Sequence, residues 1–166
     1  MTATKTLLGL LPEGLRMKVL FQLAVRRVPM MRYIRPRLVE LSTQRVVVRV
    51  DLSRRTRNLH DSMFLGAFSV AADCIAGVFP VRFMFETGRR VPPIVKSTSA
   101  QFYKRVSSYA HFTCTQGEEL TRICSEAALT GKRLEVPIDV VVTAPKEFGD
   151  EPVARINLLL SIKQLK

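Results

Sequence analysis

The chain has 166 residues, 47% hydrophobic and 24% charged, a length and balance that give one globular domain able to bury about two-thirds of its unfolded surface. Three cysteines, Cys74, Cys114 and Cys124, with no CxxC pairing, exclude a disulfide framework or a zinc site and fit a reduced, cytoplasmic protein. A formal charge of +12 favours anionic partners (nucleic acid, an anionic membrane surface or phosphorylated small molecules) without choosing among them.

Residues 1–36 read as a helical extension. The apolar pieces Leu7–Leu11 and Val19–Val25 are split by Pro12, Arg16 and Lys18, which argues against a signal peptide, although the basic, acid-poor start also resembles a transit peptide. Pro12 suits a first helical turn, and Leu15, Val19 and Leu23 recur every four residues on one face. Arg26 and Arg27 then favour a helix end, Pro29 breaks the pattern, and a second short helix or turn runs to Pro36. Such a basic amphipathic segment fits either contact with a membrane surface or packing on the domain with a solvated basic face.

From Leu38 to Leu52 the period changes to two, with Val46, Val48 and Val50 alternating with Val47, Arg49 and Asp51 as in a strand. A basic loop, Ser53 to Asn58, leads through His60 to Asp61 or Ser62, the natural N-caps. The run Met63 to Val81 is then almost wholly apolar and is expected to be a helix that kinks or ends near Pro80. Its one charged side chain is Asp73. A carboxylate among apolar neighbours is costly unless hydrogen-bonded or neutral, so Asp73 is the leading functional candidate. The run is long enough to span a bilayer, but a central Asp costs about 2.5 to 3.5 kcal/mol even on insertion scales, and four alanines, two glycines and Pro80 weaken it further. A transmembrane span is therefore not expected.

Gly88-Arg89-Arg90 reads as a turn. A long strand, Val91 to Arg105, follows with Pro92 and Pro93 confined to its start, then a strand Tyr109 to Thr115. Gly117 opens a helix Glu118 to Leu129, with Gly131 just past its end. Strands Arg133 to Thr143 and Val153 to Lys163, joined by a turn through Pro145 to Pro152, complete the chain. The order argues an α+β class: an antiparallel sheet in residues 37–166 with one helix on its face.

Several stretches carry a resemblance. These are Met30 to Pro36, the strand Arg45 to Val50, Arg54-Arg55-Thr56-Arg57-Asn58, and above all Ser62-Met63-Phe64-Leu65-Gly66-Ala67 leading to Ala71-Ala72-Asp73-Cys74, with Glu151 to Ala154 before the last strand. Together they resemble a hotdog-fold family close to the phenylacetate-type acyl-CoA thioesterases, a branch that includes domains of unknown function. The resemblance implies a sheet wrapped around the central apolar helix. It also implies a dimer, or a dimer of dimers, in which helix start and acid come from different subunits. In those thioesterases the helix begins His-Gly-Gly and carries an acid about two and a half turns later. Counted back from Asp73, these positions fall on Phe64, Leu65 and Gly66, so the acid and the second glycine are present while the histidine and first glycine are not. His60 lies one turn too early to stand in directly, although it could enter from the loop.

The chemistry such a family performs needs hydrogen-bond donors for a carbonyl oxygen and a base or carboxylate nucleophile. Free amides at a helix start supply the donors, which points to Leu65 and Gly66. Asp73 would be the base or nucleophile, its pKa raised by burial. Asn58, His60 and Ser62 are further candidates for holding the carbonyl or a water, Ser62 also reading as a plain cap. His111 reads as structural. Neither a phosphate loop nor a metal-ligand cluster is present, so coenzyme A, as part of the substrate, would meet Arg54, Arg55, Arg57, Lys104 and Arg105. The expected activity is hydrolysis of an acyl-CoA or acyl-carrier thioester. The alternatives are a non-catalytic binder of the same ligands and a basic module for nucleic acid or membrane. Nucleic acid is not expected, because aromatic–basic interleaving is confined to Tyr103-Lys104-Arg105.

Overall fold

A computed structural model of the chain describes residues 12–165. Two helices, α1 (Glu13–Arg27) and α2 (Pro29–Ile34), precede the strands β1 (Arg37–Leu41) and β2 (Val46–Asp51). The long helix α3 (Leu65–Thr87) comes next, then β3 (Pro93–Phe102), β4 (Tyr109–Cys114), α4 (Gly117–Thr130), β5 (Leu134–Thr143), the single turn α5 (Pro145–Phe148) and β6 (Pro152–Ile162). The strands form one antiparallel sheet in the order β1-β2-β4-β5-β6-β3. The sheet curls around α3, whose Ala67, Phe68, Ala71, Ile75 and Phe79 are buried with Val48, Phe112, Ile138 and Leu160 in one core. By length and composition α3 could cross a membrane, but more than half of its apolar window is spent on this core. The fold is the α+β hotdog architecture expected.

Four local expectations need correction. The segment from Leu38 to Leu52 is a hairpin, not one strand. Ser42 turns the chain: its N–H donates to the Arg45 carbonyl at 2.8 Å, and its Oγ accepts the Arg45 N–H at 2.9 Å. Neither Asp61 nor Ser62 caps the long helix. Its N-cap is the extended Phe64, which makes no side-chain cap bond, while Asp61 sits at φ 53° in the loop. The helix also runs through Pro80 to Thr87, where Gly88 ends it at φ 73°. Proline removes its own N–H and crowds the carbonyl four residues back, but burial of Phe79, Pro80 and Phe83 holds the turns on either side. The long strand begins at Pro93, not Val91, and is interrupted by a bulge between Val95 and Ser97.

The first helix turns the other way from expectation. Met17, Phe21 and Val25 face the core, while Leu15 and Leu23 are exposed and Val19 is half-buried. Both stripes repeat every four residues, so spacing alone could not choose between them. The buried stripe packs on the outer side of α3, and Ile34 of α2 joins the same core. Residues 1–11 of the helical extension lie outside the described residues.

Candidate functional site

The loop from Ser53 to Met63 delivers the start of α3. Thr56 is fully buried, and its Oγ1 donates to the Asp51 carbonyl at 2.7 Å. The Asn58 side-chain oxygen accepts the N–H of His60 at 2.8 Å and of Ser62 at 3.2 Å, and its amide nitrogen donates to Ser62 Oγ at 3.0 Å. Asn58 and Ser62 are thus engaged in shaping the loop. Two backbone bonds then clamp the entry: Met63 N–H to the Val106 carbonyl at 2.8 Å, and Phe64 N–H to the Thr56 carbonyl at 2.7 Å. The N–H of Ala67 turns back to the Phe64 carbonyl at 2.9 Å. Between these, the N–H groups of Leu65 and Gly66 meet no acceptor among the described residues. Helix geometry leaves such donors unspent and the helix dipole favours negative charge beside them. Leu65 is 59% exposed, so the pair lies at the surface of the protein.

Asp73 stands two turns further on. It is not enclosed in the core, as the apolar run suggested, but solvent-exposed on the single chain. It continues the open stripe of Leu65 and Ser69 at helical spacing, with Phe68, Ala72 and Cys74 turned inward. No hydrogen bond or ion pair reaches its carboxylate among the described residues. Its pKa is nevertheless raised above the ordinary 3.8 by desolvation: the side chain is reached by solvent from one side and flanked by apolar helix surface on the other. Its charge in turn adds to the burial that pushes the Cys74 thiol up to about 12.

The edge strand β3 flanks this stripe. Thr98, Ala100 and Phe102 oppose the buried Leu158, Ile156 and Ala154 of β6, so they share the helix-facing side. Phe102 meets Phe68 edge-on at 5.2 Å. All three are nonetheless exposed. An uncovered strip therefore runs between the first half of α3 and the inner side of β3. Sequence periodicity had no means of finding it, because alternation reports sides and not what covers them.

The cations divide into committed and uncommitted. Arg57 is paired with Asp61 at 2.9 Å, Lys104 with Glu151 and over the Phe148 ring, and Arg55 lies over Tyr33 at 5.5 Å. Arg54 and Arg105 are exposed and have no partner among the described residues. The two belong to one end of the molecule, since the Leu52 N–H donates to the Ser108 carbonyl and the Met63 N–H to the Val106 carbonyl. His60 remains in the exposed loop beside the fully exposed Leu59. His111 is half-buried in β4, its ring 5.2 Å from that of Tyr109, and its pKa is lowered by desolvation and by Arg49. Among the described residues, no three His, Cys, Asp or Glu side chains group as a metal site.

One contact had no signal in the sequence. Phe64, at the position where the resembled thioesterases carry a histidine, lays its ring against Gly66, so that a Cβ there would fall 2.6 Å from Phe64 Cε1.

A sheet wrapped around one long apolar helix, with unspent amides at the helix start and a lone acid two turns on, defines a protein of the hotdog fold. The sequence model of the domain of unknown function DUF4442 matches residues 17–160, and the chain belongs to that family. No curated protein matches it. Among solved structures, it is similar to a Pseudomonas aeruginosa protein of unknown function, described as a probable thioesterase. That pair shares 20% identity and a TM-score of 0.73 over 93% of this chain and 97% of the other. A protein of unknown function from Chlorobaculum tepidum is 14% identical, with a TM-score of 0.74 over 90% and 94% of the two chains. A thioesterase family protein from Silicibacter pomeroyi is 14% identical, with a TM-score of 0.65 over 88% and 97%. At these identities the likeness is one of fold.

Proposed function

We propose that the protein is a cytoplasmic hydrolase of acyl thioesters, acyl-CoA or an acyl-carrier thioester, with each site built between two copies of the chain. One observation carries this reading. An unspent donor pair, the amides of Leu65 and Gly66, and an unpaired acid of raised pKa, Asp73, share one open stripe of one helix. Seven residues from Gly66 to Asp73 span about 10 Å of helix axis. That is too far for both to act on one carbonyl carbon. Two copies related by a two-fold axis, their helices antiparallel, bring each helix start opposite Asp73 of the partner subunit. The exposed edge strand β3 offers its free side for continuing the sheet into that partner, in a homodimer or a dimer of such dimers.

In the resulting site the amides hold the carbonyl oxygen as it gains negative charge. Asp73 of the partner subunit takes a proton from water as the water oxygen bonds to the acyl carbon. The C–S bond then breaks, and the thiolate leaves with the proton that the acid had taken. Arg54 and Arg105, the cations without partners, suit the phosphates of coenzyme A.

A binding-only reading is favoured by Phe64, which replaces the histidine of the resembled thioesterases and covers Gly66. Assay of the full chain against an acyl-CoA panel, with Asp73→Asn in parallel, separates the two. Turnover that collapses in D73N while acyl-CoA still binds supports the hydrolase. A wild type that binds acyl-CoA and turns none over supports the binder.

A further inference from the structure

The uncovered strip beside Asp73 accounts for the reacting end of a thioester but not for its tail. A separate cavity of about 140 Å³ opens between α1, α2 and the outer side of α3, walled by Phe21, Val25, Met31, Cys74, Gly77 and Val81. An apolar cavity of about 150 Å³ is large enough to admit benzene and stays dry when empty. The one charged side chain in the wall is Arg82. Its Nε is bound to Glu86 at 2.8 Å and its Nη1 to the Ser42 carbonyl at 3.3 Å. The cavity therefore presents no free charge to a ligand, and the group it suits is an uncharged hydrocarbon of about six carbons.

Gly77 is part of the cavity wall. It lies one turn after Asp73 and beside Cys74 in the cavity wall. A glycine in mid-helix is unfavourable relative to alanine, so it ordinarily needs a packing reason. Gly66 and Gly117 have one, since a Cβ at either would collide with a ring. At Gly77 a Cβ would meet nothing within 4 Å. The missing side chain there leaves room at the cavity wall, one helical turn from Asp73.

We infer that this cavity takes the tail of the acyl group, and that it selects thioesters of about six carbons or with one aryl ring over acetyl. The inference rests on the hydrolase reading for its catalytic half and on the cavity alone for its binding half. A thioester with its acyl carbon at Asp73 would pass its chain across Gly77 and in between α1 and α3.

The test uses the full chain and the variants Gly77→Leu, which fills the cavity from its wall, and Val81→Phe, which fills it from the next turn. Val81→Phe serves if Gly77→Leu does not fold. Hexanoate and phenylacetate binding are measured by calorimetry, and kcat/KM is measured for hexanoyl-CoA and acetyl-CoA. The expected result is that the wild type binds both acids and prefers hexanoyl-CoA by tenfold or more, the order that extra buried methylenes supply. The variant should lose at least tenfold in both the binding and the preference. Equal binding by wild type and variants, or a hexanoyl-to-acetyl ratio near one, overturns the inference even if hydrolysis is brisk. Hexanoate binding that the variants abolish, in a protein that hydrolyses nothing, upholds the cavity and overturns the hydrolase.

Discussion

The ring of Phe64 lies against the backbone of Gly66, close enough that a methyl group on Gly66 would stand 2.6 Å from Phe64 Cε1 and 3.0 Å from Cδ1. The ring thus lies against Gly66, one of the two residues whose amides would hold a carbonyl oxygen, at the sequence position where the resembled thioesterases carry a histidine. Phe64 is 54% exposed, so nothing in the core holds it there. Phe64→Ala is expected to raise kcat/KM for an acyl thioester several-fold while moving stability by less than about 0.5 kcal/mol. Gly66→Ala, which must push the ring aside, should act in the same direction. Steady-state kinetics with thermal unfolding in parallel check both. A fall in kcat/KM in both variants would place the ring against the substrate instead.

Asp73 gives a prediction with a pH signature. Asp73→Asn should lower kcat by about 10² to 10⁴, the range for a positioned acid–base group, with acyl-CoA affinity changed less than about threefold. The wild-type pH–rate profile should rise on its acid side at a pH above 3.8, because desolvation raises the carboxyl from that ordinary value. The same shift has a sign for stability. The folded carboxyl holds its proton more tightly than the unfolded one, so the favourable contribution is complete below the unfolded pKa and is lost as pH rises through the folded one. Asp73→Asn should therefore stabilise the protein at pH 7, by under about 1 kcal/mol given its contact with solvent. The gain should vanish near pH 3. Unfolding in denaturant at the two pH values measures it.

What the sequence made legible follows from which physical signals are local. The apolar run around Ala71, Ile75 and Phe79 announced a helix buried on most sides. The alternation of Val46, Val48 and Val50 announced a strand, and Gly131 marked a helix end now seen at φ 68°. Features that depend on a neighbour stayed hidden. Leu15-Val19-Leu23 and Met17-Phe21-Val25 are equivalent stripes until α3 is set against one of them. Asp73 looked enclosed because its sequence neighbours are apolar, yet a helix turns 100° at each residue, and its own direction is the one left uncovered. The Phe64–Gly66 contact depends on a rotamer, which no spacing encodes.

Two glycines should respond oppositely to alanine. At Gly117 a Cβ would overlap the Phe79 ring and the Thr43 carbonyl oxygen, and Phe79 is itself 1% exposed with no room to retreat. Gly117→Ala is expected to destabilise by about 1 to 3 kcal/mol, the usual cost of overpacking. At Gly77 the same change meets open space, so helix propensity decides, and Gly77→Ala should stabilise by about 0.5 to 1 kcal/mol. Chemical denaturation with unchanged m-values checks both signs.

The charge pairing narrows which cations serve the phosphates. Arg57 and Lys104 already face Asp61 and Glu151, whereas Arg54 and Arg105 have no partner among the described residues. Arg54→Glu and Arg105→Glu should each raise KM for an acyl-CoA by about threefold to tenfold at low ionic strength, with the effect shrinking as salt screens it. Neither should alter KM for an acyl-pantetheine, which lacks the nucleotide phosphates. The same shift for both substrates would mean that the arginines act through the fold.

The sharpest consequence of a shared site is that two inactive proteins should repair each other. Leu65→Pro removes one of the two amides at little structural cost, because proline is at home in the first helical position. It also requires an extended residue before it, and Phe64 already has φ −72° and ψ 142°. Asp73→Asn removes the acid. A homodimer of either variant lacks a working site, but a mixed dimer holds one site with the amides of the D73N copy and the acid of the L65P copy. After unfolding and refolding together in equal amounts, about half of the dimers are mixed, and each has one intact site of two, so activity should return to about a quarter of wild type. Separately refolded samples, mixed without exchange, should stay inactive. If both groups served one site within a single chain, co-refolding would restore nothing, because each chain would carry its own lesion into its own site.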